Sequence, residues 1–287
     1  MIRREGDLNI MILVTGAAGT VGSEVVRQLK EAGIAFRAGY SSEAKKNGSE
    51  AVVANFADPQ SLRNALQGVD KVFLVSGGAP NQTELELNVV NAAKEAGVKH
   101  FVKLSVWGAD GEAFSFAHVH RPVERAIEAS GMAWTHLRPN GFMQNTINYM
   151  PTIKSDGKIF QPAGDARVSH VDVRDIAAVA VKVLTEPGHE GKAYSLSGPE
   201  ALTYGEVASK LSLVTGKRIE YVDLPPAAFR EAMIGSGAPA AYADAYLDLI
   251  RIYREGGFAA VSDDVRNVTG RPPRSFEEFA KDHAAAF

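Results

Sequence analysis

The chain is 287 residues long, 45% hydrophobic, and has a formal net charge of −3 with no cysteine. That length buries a substantial core, and the charge gives no electrostatic case for nucleic acid or an anionic membrane surface. The missing thiols exclude disulfides, thiolate catalysis and thiolate-held metal, as suits a cytoplasmic protein, and no apolar run reaches the roughly 18 residues of a membrane span.

Met1 to Asn9 hold two arginines and no apolar stretch of the signal-peptide kind, so they are set apart from the fold. Ile10–Val14 then reads as a buried strand. It runs into Thr15-Gly16-Ala17-Ala18-Gly19-Thr20-Val21-Gly22, after which Val21, Val25, Val26 and Leu29 recur at helical period. A strand, a glycine turn and a helix start are what a dinucleotide needs. Gly16 permits the tight turn, Gly19 lets backbone N–H groups approach a pyrophosphate, and Gly22 lets the helix pack on the strand. Gly16, Ala17, Ala18, Gly19, Thr20 and Val21 are therefore expected to bind the cofactor at the positive end of the helix dipole. A tight turn without a ligand is the competing reading.

Strand two is expected at 35–40 and strand three at 51–54. No acid follows strand two before Glu43, so nothing there would claim a ribose 2′-hydroxyl or repel a 2′-phosphate. Arg37 and Lys45 offer positive charge, and Ser41 and Ser42 offer hydroxyls. These favour NADPH and leave NADH open; ordinary surface residues of a βα turn are the alternative. Asn55 and Phe56 stand where adenine would lie. Ser76, Gly77 and Gly78, after a strand at 71–76, are expected near the cofactor's second half.

Pro59–Leu66 reads as a short helix, and Asn81-x-x-Glu84 as a capping box opening a helix that Gly97 stops. Strands follow at 100–104 and 133–137, with a helix from about His118 to Ser130 between them. Repeated βα units of this length predict an α/β fold: a doubly wound, Rossmann-type parallel sheet. Beyond residue 150 the rhythm changes. Short strands at 168–171 and 193–196, around a helix at 175–184, are expected to return to the main sheet. The remainder reads as a smaller, mostly helical substrate lobe, with capping boxes at Thr203-x-x-Glu206 and Ser275-x-x-Glu278. The division is thus a dinucleotide-binding domain over 10–150 and a lobe over 151–287.

Taken together, Thr15–Gly22, Asp58-Pro59-Gln60-Ser61-Leu62, Ala96-Gly97-Val98-Lys99-His100, His118-Val119-His120 with Glu124, Leu137-Arg138-Pro139-Asn140-Gly141-Phe142, Val171–Ala177 and Thr269-Gly270-Arg271-Pro272-Pro273 resemble the NmrA-like group of atypical short-chain dehydrogenase/reductases. The likeness runs from Met11 to Phe287 and is greatest to the bacterial branch with type 2 quinone oxidoreductases, triphenylmethane reductase and flavin-free azoreductases. The resemblance implies that Pro139, Asn140, Gly141 and Phe142 run beside the nicotinamide. It makes Phe142, Met143, Asn145 and Tyr149 the wall for a planar substrate, with Trp107 and Phe114 over the same cleft. Core packing at the sheet edge is the alternative for that segment.

The chain departs from its superfamily at the Tyr-x-x-x-Lys pair. Counted back from Glu124, the lysine slot holds His120 and the tyrosine slot Phe116, which transfers no proton. Losing a general acid costs roughly 10²–10⁴ in rate, so the expected acceptor is a planar electrophile that takes hydride readily, of quinone, azo or dye type. His120 is the candidate catalytic residue; a structural histidine at a helix start is its alternative. No metal is expected, because His118 and His120 point to different sides of a helix and lack a clear third ligand. The expected activity is flavin- and metal-independent NAD(P)H oxidoreduction. A redox-sensing regulator that binds dinucleotide without turnover is the second reading.

Overall fold

A computed structural model describes residues 10–287, so the N-terminal segment set apart above lies outside the described residues. Strands β1 (Ile12–Val14), β2 (Phe36–Tyr40), β3 (Ala51–Val53), β4 (Lys71–Leu74), β5 (His100–Leu104), β6 (Ala133–Pro139) and β8 (Lys192–Leu196) form one sheet in the order β3-β2-β1-β4-β5-β6-β8. The pairs among the first six are parallel. The order reverses direction between β1 and β4, and an open α/β sheet binds its ligand outside the carboxyl ends of the strands at such a switch point. The sheet is the doubly wound, Rossmann-type arrangement read from the sequence, and β8 is the returning strand.

Helices α1 (Thr20–Glu31), α2 (Pro59–Leu66), α3 (Gln82–Glu95) and α4 (Ser115–Glu128) follow β1, β3, β4 and β5. Asp58 caps α2, its side chain accepting from Gln60 N, and Pro59 supplies the pre-set φ of a first turn. Leu62, Leu66, Val89, Val90, Val123 and Ile127 pack with Leu13, Val72 and Phe101 in one core. The capping box expected at Asn81 does not form: the Asn81 side chain makes no cap bond, and its backbone stands outside the extended region that such a box needs.

Cα packing divides the chain into two interleaved units. The first runs to Ser105 and resumes at Val119–Leu137 and Ile176–Tyr194; the second is Val106–His118, Arg138–Asp175 and Ser195–Phe287. The first holds β1 to β5, and the second holds α5 (Met150–Asp156), α7 (Tyr204–Thr215), α8 (Pro226–Gly235), α9 (Ala240–Arg254), α10 (Asp264–Thr269) and α11 (Phe276–Asp282). Helix α6 (Val173–Thr185) passes from the second to the first.

In the second unit, both expected capping boxes form, at Thr203 on α7 and Ser275 on α11. A two-stranded parallel sheet that sequence reading missed pairs β7 (Lys158–Gln161) with β9 (Glu220–Asp223). The strand expected at 168–171 is reduced to single bridges, Val168 to Leu202 and Val171 to Phe142. Its apolar residues are buried, but its neighbours supply no continuous ladder.

Candidate active site

The carboxyl end of β1 is clasped to that of β4. Thr15 Oγ1 donates to Val75 O at 2.8 Å and accepts from Val75 N at 2.9 Å. Gly16 follows with φ +58°, and a Cβ there would stand 2.6 Å from Val75 O. Gly22 is tighter still: its Cβ would lie 2.2 Å from Gly16 O, so α1 packs on the turn only through a bare Cα. Gly19, the N-cap, makes no side-chain cap bond, and no acid occupies the first turn of α1. Ala18, Gly19 and Thr20 are exposed. An open helix start with uncapped N–H groups and no competing carboxylate fits a pyrophosphate.

Ser41, Asn55 and Ser76–Gly78 follow the carboxyl ends of β2, β3 and β4, on the same edge as the glycine turn. Asn55 Oδ1 accepts from Ala57 N, and Phe56 packs partly buried on the core. After β2 the first acid is Glu43, 3.2 Å from Lys46 Nζ. Arg37 is not at this edge. It pairs with Leu13 in the sheet, and its Nη1 donates to Ala65 O and Gln67 O at the carboxyl end of α2. Helices of a βα fold run opposite to the strands, so Arg37 serves the amino edge. The expectation that it meets a 2′-phosphate is corrected.

A buried polar chain joins the carboxyl side of β4 to α4. Lys103 on β5 and Glu86 on α3 are 0% and 1% exposed and form an ion pair. Ser76 Oγ (2.6 Å) and Gln82 Nε2 (2.9 Å) donate to the other Glu86 oxygen. Lys103 Nζ also lies 3.1 Å from His120 Nδ1. Burial raises the Glu86 carboxyl, but the Lys103 charge and the hydrogen bonds outweigh it and hold it below its usual range. Burial, then the Lys103 charge, pushes His120 down to about 3. His120 is therefore neutral at pH 7. As a neutral ring it can serve as a hydrogen-bond donor. Breaking such a pair from one side typically costs about 3–5 kcal/mol.

The second unit contains a pocket whose lining includes Phe142, Asn145 and Tyr149. His170, Tyr204, Tyr246 and Tyr253 complete it, and sequence reading assigned none of the four to the site. Burial raises all the tyrosine hydroxyls, that of Tyr246 to about 12, and lowers His170 to about 4. No residue of the lining carries charge at pH 7. His170 Nδ1 is buried without a hydrogen-bond partner. A Cβ on Gly141 would meet both His170 (3.1 Å) and Tyr253 Oη (3.2 Å), so only glycine keeps those groups together.

Two expected site residues serve the interior instead. Met143 is 1% exposed and belongs to the core of Ile153, Ile159 and Leu211. Asn140 Nδ2 donates to Ser169 Oγ (2.7 Å) and Phe258 O (2.9 Å), and its Oδ1 accepts from Gly141 N. Pro139 O accepts from Trp107 N, and Trp107 Nε1 donates to Gly257 O at 3.1 Å. Phe116 packs edge-on against Tyr242. Glu124, Glu128 and His136 bring metal-ligand atoms within 4.8 Å of one another. The Arg121 guanidinium already lies 3.0 and 2.6 Å from the two carboxylates, a fixed positive charge where a cation would have to sit.

A parallel sheet with an anion-ready glycine turn defines a dinucleotide-binding α/β protein. The NmrA-like family model matches residues 9–280, and the chain belongs to that family. It is 44% identical over 285 residues to an NAD(P)H azoreductase of Xenophilus azovorans, covering 96% of this chain and 99% of the relative. A (4-alkanoyl-5-oxo-2,5-dihydrofuran-3-yl)methyl phosphate reductase of Streptomyces griseus is 42% identical, over 96% of this chain and 99% of the relative. Among solved structures, an Escherichia coli NADPH-dependent quinone oxidoreductase in complex with NADPH superposes with a TM-score of 0.83 at 29% identity, covering 95% and 99% of the two chains.

Proposed function

We propose that the chain is an NAD(P)H-dependent reductase, with NADPH preferred, that passes hydride to a conjugated acceptor of the quinone or azo type. The observation that carries this reading is the open, acid-free start of α1 behind Gly16 and Gly19, in a family whose relatives include reductases of both acceptor types. The N–H groups there would hold the pyrophosphate. Ser41 would meet the 2′-phosphate, Asn55 and Phe56 the adenine side, and Ser76 to Gly78 the second half. Bound reduced nicotinamide supplies the hydride. The first unit is thus the dinucleotide-binding part and the second the substrate part.

Phe142, Asn145 and Tyr149 are the acceptor wall, with Tyr204, Tyr246, Tyr253 and His170. Aromatic faces stack on a planar ring, and neutral hydroxyl and imidazole groups hydrogen-bond its oxygen or nitrogen atoms. His120 remains the catalytic candidate in its neutral form, as a hydrogen-bond donor and not a charged acid. This suits acceptors that need no concerted acid, and the fixed Arg121 charge fits chemistry without a metal. Among the described residues no helix is long and apolar enough to cross a membrane. A reducing, NADPH-supplied cytoplasm is the proposed compartment.

Loss of NADPH absorbance with a panel of quinones, azo dyes, butenolides and aldehydes tests the proposal. Turnover of quinones or azo dyes, with aldehydes inert, is expected. Tight NADPH binding without turnover across the panel would overturn it in favour of a redox sensor.

A further inference from the structure

A buried ion pair contributes little net stability compared with well-packed apolar residues, so Lys103 and Glu86 call for a role other than holding the sheet together. The pair is fully enclosed, with Ser76 and Gln82 saturating one carboxylate oxygen. Lys103 spends one N–H on Glu86, one on Leu104 O at 3.3 Å, and directs one at His120 Nδ1 at 3.1 Å. An ammonium has only donors, so Nδ1 must accept and the ring proton must reside on Nε2. Among the described residues, His120 Nε2 hydrogen-bonds no other group.

We infer that Lys103 is a positioning residue: it fixes His120 as the Nε2–H tautomer, so that the imidazole presents one oriented donor to its ligand. Glu86 holds Lys103 in place through the ion pair. The charged groups facing His120 are Lys103 on β5, Glu86 on α3 and Glu124 on its own helix; the two carboxylates favour the imidazolium, while Lys103 and burial oppose it. Removing Lys103 leaves the carboxylates without that opposition. The imidazole then gains a proton at a higher pH and loses its single tautomer.

The consequence for turnover rests on the proposed reductase activity, whereas the tautomer belongs to the free chain. Nitrogen-15 NMR of histidine-labelled protein therefore tests the inference directly. At pH 7 the parent is expected to show His120 with a protonated Nε2, an unprotonated Nδ1 and no titration above pH 5. Lys103→Met should mix the tautomers and bring a His120 titration into the range of about pH 5–7. Should that variant misfold around its orphaned carboxylate, Lys103→Met with Glu86→Gln removes both charges and should still lose the single tautomer. In steady state, Lys103→Met should lower kcat for a quinone by roughly tenfold or more, the effect of misplacing one donor, and add a pH dependence that the parent lacks. An Nδ1–H tautomer in the parent, or an unchanged tautomer in both variants, would overturn the inference. A parent without turnover but with the expected spectrum would count against the reductase reading alone.

Discussion

Gly22→Ala puts one methyl group where the structure has no room for it. The added Cβ would stand 2.2 Å from Gly16 O, 2.7 Å from Gly16 C and 3.1 Å from Thr15 O, all backbone atoms of the turn. Side-chain rotation relieves none of these contacts. Reaching an ordinary separation requires α1 to retreat from the turn by about 1 Å, and overpacking of that kind costs about 1–3 kcal/mol. At about 2–4 °C per kcal/mol for a large domain, the melting temperature should fall by roughly 2–12 °C. The same retreat carries the N–H groups of α1 away from a phosphate, and losing one or two charge-assisted bonds at about 1.5–3 kcal/mol each weakens NADPH binding at least tenfold. Gly19→Ala is the internal comparison, because its Cβ meets only Gly16 O at 3.2 Å. That variant should melt within about 2 °C of the parent while binding NADPH more weakly. Calorimetric melting and NADPH titration of both variants read the two effects separately. A Gly22→Ala protein with the parent's melting temperature and NADPH Kd would refute the argument that close packing of α1 builds the cradle.

Arg37→Ala should leave the preference for NADPH over NADH unchanged and lower stability by about 1 kcal/mol, because its guanidinium holds two carbonyls at the end of α2. Ser41→Asp should shift the ratio of the two Kd values toward NADH by tenfold or more, and an unmoved ratio would remove Ser41 from the phosphate site. Asn140→Ala removes three hydrogen bonds, although Ser169 Oγ and Phe258 O keep other partners, and should cost about 1–3 kcal/mol in urea unfolding without altering NADPH affinity. His100 and His170 are held near 4 chiefly by burial, against about 6.5 in an unfolded chain. Their contribution is complete above pH 6.5 and is lost as pH falls toward 4, because the unfolded chain then binds the extra protons. Each can contribute up to about 3 kcal/mol to that loss, so unfolding free energy constant between pH 7.5 and 5 would contradict their burial as neutral rings.

What the sequence determined by itself is what neighbouring residues decide. The turn from β1 into α1, the Pro59–Leu66 helix behind Asp58, strand β5 and the capping boxes at Thr203 and Ser275 all follow from glycine placement, periodicity and side chains within four positions. Asn81 has the right spacing and still fails as a cap, since the loop from β4 delivers its backbone outside the extended region. The tertiary structure alone decided the pairings across distance. Lys103 in an apolar strand reads only as an interruption until α3 brings Glu86 and α4 brings His120, each 17 positions away. His170 and the tyrosines at 204, 246 and 253 meet Phe142 through chain closures that no local pattern encodes. Arg37 has the charge for a phosphate but lies at the wrong edge, and Asn140 has the amide for a ligand but spends it inside. Residue type sets what a side chain can do; the register of the sheet and the direction of its helices set which partner it reaches.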